Sequence, residues 1–148
     1  MRVVQSEERA CAPVAIVEAS PEGGRRLAAA YWREVERTTG GLVRVFRSPD
    51  GRLALRALGA TLLKFGLPRI ETIGDRVSCC YPIEGGLLAS RPGGSIVFGQ
   101  DGTVLISSIS GFHPRLDFFP GLYSYVQARL HVAVSRRYFA RLVREAAT

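Results

Sequence analysis

The sequence has little of what cross-linked or metal-bound small domains need. Its three cysteines, two of them adjacent as Cys79 and Cys80, cannot build a paired framework, and no Cys-x-x-Cys or Cys/His cluster has zinc spacing. A disulfide scaffold and a metal site are therefore not expected, and no motif calls for a cofactor. No apolar run approaches the roughly 20 residues of a membrane-spanning helix. Residues 1–9 lack the apolar stretch of a secretory signal, so a cytoplasmic location is the expectation. Lysine is almost absent: of 20 basic residues nineteen are arginine, and the one lysine is Lys64. A GC-rich genome produces that skew through codon usage, without selection for a surface. The arginines are scattered, they lack aromatic interleaving, and nucleic acid is disfavoured as a partner despite a net charge of +7. Fixed-period repeats and low-complexity tracts are missing too, so residues 1–148 read as a single domain.

What is present is an apolar chain of 148 residues, 47% hydrophobic, with a mean hydropathy of +0.09. A domain this apolar often lines an internal cavity or buries a partner surface, which makes a homodimer one expectation. Residues 11–18 alternate Val14 and Ile16 with Ala15 and Val17 as a strand would, and Pro13 restricts such a strand to a sheet edge. Ser20-Pro21-Glu22 reads as an N-cap, a proline at the first helical position and an acid near the positive helix end. The helix that follows should bury Leu27, Ala28, Tyr31, Trp32 and Val35 and stop at Gly40-Gly41, with Gly23 and Gly24 weakening its first turn.

Between residues 42 and 110 the period changes to two. Short apolar runs are separated by turn signals, Ser48-Pro49-Asp50-Gly51, Gly74-Asp75, Arg91-Pro92-Gly93-Gly94 and Gln100-Asp101-Gly102. Strands are expected over residues 42–47, 52–58, 60–65, 69–73, 76–83, 95–98 and 103–109, forming an antiparallel meander with one wet face. Cys79 and Cys80 should point to opposite faces, and neither has a local activating base. The glycine-rich residues 85–94 lack a following helix and a Gly-Lys-[Ser/Thr] ending, so they read as a hairpin with bulges, not a phosphate cradle. Arg91 is the anion contact there if the segment acts as a lid. His113, in Gly111-Phe112-His113-Pro114-Arg115, stands at a strand-to-helix corner where function often collects.

Residues 121–147 read as one long helix. Stepping about 100° per residue places Arg129, Arg136, Arg137, Arg141 and Arg144 in one arc that should face water. Opposite lie Gln127, His131 and Ser135 at i, i+4 and i+8, joined by Tyr138. The middle of the inward face is thus polar, and buried polar groups need partners. One reading makes Gln127, His131, Ser135 and Tyr138 the polar lining of a pocket, with His131 and Tyr138 able to exchange a proton. The other has these groups satisfied by strand carbonyls. No nucleophile or carboxylate is tied to His131 by spacing, so no catalytic residue is assigned.

An N-terminal strand and a helical segment, then about six antiparallel strands, then one long C-terminal helix resembles the helix-grip superfamily. That superfamily takes in START lipid-transfer domains, plant-allergen-like proteins and bacterial polyketide cyclase/aromatase-like proteins. Neither Tyr81-Pro82-Ile83-Glu84-Gly85-Gly86-Leu87-Leu88 nor Gly111-Phe112-His113-Pro114-Arg115-Leu116 corresponds to a catalytic motif, so no site residue is carried over. The resemblance implies an α+β fold, a curved antiparallel sheet of about six or seven strands wrapped around the C-terminal helix. It also implies a cavity for a lipid, polyketide or similar hydrophobic molecule. Binding of such a ligand is the leading expectation. The alternatives are a cyclase or dehydratase using the same pocket, and a homodimeric interaction module with an arginine-rich face. A closed lipocalin-like barrel is the rival fold. Whether the cavity is open or filled by Phe65, Phe98, Phe112, Phe118 and Phe119 depends on strand register.

Overall fold

A computed structural model describes residues 4–89, 91–112 and 122–146, with side chains for all of these except 4–5 and 122–128. The elements run β1 (Val4–Cys11), α1 (Pro21–Thr38), β2 (Arg44–Arg47), β3 (Leu53–Ala57), β4 (Ala60–Phe65), β5 (Arg69–Ile73), β6 (Arg76–Gly85), β7 (Ser95–Asp101), β8 (Val104–Phe112) and α2 (Leu122–Ala146). All strand pairings are antiparallel, in the order β1-β8-β7-β6-β4-β3-β2, with β5 also on β6.

β4 and β5 share one flank of β6. Phe65 pairs with Ile83 and Arg69 with Cys80, while the Gly66 N–H between them donates to the Pro82 carbonyl at 2.9 Å. The two behave as one strand kinked at Gly66-Leu67-Pro68, which gives seven positions across the sheet. The sheet is open, with β1 and β2 at its edges, and this excludes the barrel. An antiparallel sheet with a single helix after the first strand and a long C-terminal helix is the helix-grip arrangement.

The strand expected over residues 11–18 lies instead upstream. β1 pairs from Val4↔Phe112 to Cys11↔Val104 along the last strand, and the Ala12 N–H adds a final bond to the Thr103 carbonyl at 2.8 Å. Pro13 has no N–H with which to continue that ladder. The following loop is held by the buried amide of Gln100, which accepts from the Ile16 and Val17 N–H groups and donates to the Val17 carbonyl. α1 starts as its cap predicts, with the Ser20 hydroxyl accepting from the Gly23 N–H at 3.1 Å. Gly23 and Gly24 are both buried in that turn, where a side chain would collide with the Glu18 carbonyl at Gly23 and with Ile70 at Gly24.

The strands are longer on the β6–β8 side than their sequence pattern suggests, because ladder bonds extend through polar ends such as Gln100-Asp101 and Ser110-Gly111. Val77, Cys79, Tyr81 and Ile83 of β6, Ile96 and Phe98 of β7, and Leu105, Ser107 and Ile109 of β8 are buried. The intervening Ser78, Cys80, Val97, Ile106 and Ser108 are half-exposed, which is the predicted wet face. α1 lies across β2, β5, β6 and β7, and α2 packs on α1 and β1. Leu27, Tyr31 and Trp32 of α1 thus sit in the core beside the strands, and α2 lies against α1 and the β1 edge. Arg129, Arg136, Arg137 and Arg144 are exposed, as the helical arc requires. Arg141 departs from that arc: its Nε reaches the buried carboxylate of Glu34 on α1 at 2.9 Å, and Arg37 approaches the same group at 3.7 Å.

Candidate functional site

The polar row of α2 lands where α1, α2 and β8 meet. His131, Ser135 and Tyr138 are 7%, 0% and 2% exposed, so all three had to find partners or stay orphaned. The helical spacing that aligns them also sets them against Leu27 and Tyr31, themselves one turn apart on α1. The Tyr138 hydroxyl donates to the Leu27 carbonyl at 2.8 Å. The Ser135 hydroxyl bonds that of Ser107 at 3.1 Å, both side chains being wholly buried. The Tyr31 hydroxyl and His131 Nδ1 lie 3.1 Å apart. Nε2 of the same ring is buried and makes no hydrogen bond among the described residues.

Burial governs the protonation of this cluster. Removing the ring from water pulls the His131 pKa down to about 4, although the Ser107 backbone beside it favours the charged form. The imidazole is therefore neutral at neutral pH. It carries one proton, and the atom that Tyr31 leaves free is either a donor or an acceptor according to tautomer. Burial likewise raises the phenol pKa values of Tyr31 and Tyr138 well above the usual range, so neither supplies a phenolate. The Cys79 thiol is pushed up to about 11 by burial, which rules it out as a thiolate nucleophile at neutral pH.

Around the polar cluster stands a layer of rings. Tyr31 lies 4.4 Å from Phe98 and 5.3 Å from Tyr138 between centroids, and Trp32 lies 5.2, 5.4 and 5.4 Å from Phe65, Tyr81 and Phe98. Most of these contacts are edge-to-face, the geometry that aromatic quadrupoles favour. Phe65, Phe98 and Phe112 are all buried in this core. Phe118, Phe119 and His113 lie outside the described residues. So does the side chain of Gln127, whose backbone belongs to α2 one turn before His131.

In the glycine-rich segment, Leu87 and Leu88 donate their N–H groups to the Thr61 and Leu62 carbonyls at 3.0 Å each, folding it onto β4. Cys79 is buried and Cys80 half-buried, as alternation predicts. Two contributors were not legible as site residues: Tyr31 reads as part of the buried face of α1, and Ser107 as one of several serines in β8. A signal for Ser107 did exist, since it occupies the inward phase between Leu105 and Ile109.

No family model matches the sequence, and no curated protein matches it. Among solved structures, the crystal structure of Ara h 8.0201 is similar over 94% of this chain and 99% of the other, with 18% identity and a TM-score of 0.40.

Proposed function

We propose that this chain binds a small hydrophobic molecule between the sheet and α2, with the His131 imidazole as its principal polar contact. The observation that supports this is the buried Nε2 of His131, which makes no side-chain hydrogen bond among the described residues, whereas the Ser135 and Tyr138 hydroxyls of the same helix are bonded. An orphaned buried donor or acceptor costs about 1–3 kcal/mol, and a ligand hydroxyl or carbonyl arriving at Nε2 would recover it. Ser135 and Tyr138 then form the floor, because their hydroxyls are committed to Ser107 and Leu27. The ligand sits toward the Gln127 end of the row, since rings interlock at the Tyr138 end.

The test is native mass spectrometry of freshly purified protein, followed by organic extraction of whatever is released. An apolar molecule at near-unit stoichiometry, lost from the His131→Phe variant, supports the reading. A clean apo mass together with no saturable uptake of fatty-acid and polycyclic aromatic probes overturns it.

A further inference from the structure

The β3–β4 hairpin turns through Leu58 and Gly59, with Ala57 and Ala60 paired at its base. Both turn residues have positive φ, 52° at Leu58 and 78° at Gly59. A two-residue turn with this geometry favours Asn-Gly, because asparagine tolerates the left-handed region and a leucine is strained there. Leu58 is also 91% exposed, so burial does not account for it. Neither turn chemistry nor core packing selects a leucine here.

Its surroundings indicate what does. Leu42 and Phe46, 56% and 48% exposed, border the same shallow surface hollow as Leu58, together with Arg44 and Arg56. Arg44 and Arg56 are register partners across β2 and β3, a like-charge pair that destabilises a ladder. No carboxylate borders that hollow among the described residues. The nearby acids are engaged elsewhere: Glu36 accepts the Val45 N–H at 3.0 Å, and Asp50 and Glu84 both hold Arg52. The Arg56 guanidinium lies 5.5 Å from the Phe46 ring centroid and donates to the Gly59 carbonyl, yet its buried Nε has no partner. Apolar side chains at a tip, beside two arginines that form no ion pair among the described residues, match a surface that is apolar within and anionic at its face.

We propose that this corner, Leu42, Arg44, Phe46, Arg56 and Leu58, docks on an anionic lipid bilayer, with Leu58 entering the interface and the arginines meeting lipid phosphates and carboxylates. No helix of the described residues is long and apolar enough to cross a membrane. Soluble polyanions share the charge complementarity but give no role to an exposed strained leucine.

Two variants test the surface without threatening the fold. Leu58→Asn supplies the residue the turn prefers, and Arg44→Glu places a carboxylate opposite Arg56, so both should unfold at equal or higher urea concentration than the parent. The full chain is sedimented with phosphatidylcholine vesicles containing about one third phosphatidylserine, and with pure phosphatidylcholine vesicles, at about 0.1 M salt. Binding to the anionic vesicles alone, weakened about tenfold in each variant, is the expected result. No sedimentation of the parent, or equal sedimentation of Leu58→Asn, overturns the proposal. Two further outcomes also overturn it. One is binding to single-stranded RNA that survives Leu58→Asn, which assigns the arginines to nucleic acid. The other is a concentration-dependent dimer abolished by Leu58→Asn, which assigns the patch to a second copy.

Discussion

Acidification from about pH 7.5 to 5.5 should remove stability that the neutral His131 ring contributes. The ring's pKa is about 4 in the folded chain against 6.5 for a free histidine, so in this interval the unfolded chain takes up a proton that the native chain refuses. The sign follows directly: stability is fully present above pH 6.5 and is lost as pH falls toward the folded value of about 4. The linkage relation gives a loss of about 1–2 kcal/mol at pH 5.5 and about 3 kcal/mol at pH 4. With a denaturant slope of about 2 kcal/mol per molar urea, the first figure lowers the urea midpoint by about 0.5–1 M. Carboxylates also titrate at low pH, so the quantity to measure is the difference between the parent and His131→Gln. Glutamine does not titrate and can still meet the Tyr31 hydroxyl. Equal pH slopes in the two proteins would refute the argument. So would a His131 ring resonance that titrates near pH 6.5.

Other perturbations probe the same core from different sides. Ser107→Ala or Ser135→Ala alone removes one partner of a wholly buried hydroxyl pair and should cost about 1–3 kcal/mol. The double variant should cost clearly less than the sum, and a double-mutant cycle by urea unfolding measures the difference. Gly23→Ala should destabilise by about 1–3 kcal/mol, although helix propensity alone predicts a gain of nearly 1 kcal/mol; a raised midpoint would show that the Glu18 carbonyl yields freely. At about pH 8, a thiol reagent should label exposed Cys11 quickly and leave buried Cys79 unmodified until the chain unfolds, as peptide mass spectrometry would show.

Local signals in the sequence were decisive wherever the responsible interactions are local. Ser20-Pro21 starts α1 because a side-chain oxygen three residues from an orphaned N–H needs no tertiary partner. The inward face of α1 and the burial of His131, Ser135 and Tyr138 follow from helical spacing. The alternation through Val77, Cys79, Tyr81 and Ile83 likewise determined which face of β6 is core. Strand–turn order then predicted an antiparallel sheet followed by a C-terminal helix, and the pairing order excluded a closed barrel.

Tertiary structure decided everything that depends on which distant groups meet. Residues 4–11 are polar in pattern and become a strand because β8 offers them a ladder, whereas the more β-like segment 12–18 is anchored as a loop by Gln100 from 83 and 84 residues away. Glu34 is buried because two arginines, one from α2, surround it. The fate of the polar row on α2 had the same origin. Spacing placed its members on one face, but only the crossing of α1 and β8 gave Tyr138 a carbonyl and Ser135 a hydroxyl while leaving His131 Nε2 without a side-chain partner among the described residues. Periodicity reports the direction a side chain points; whether a partner stands there is set by contacts between elements far apart in the chain.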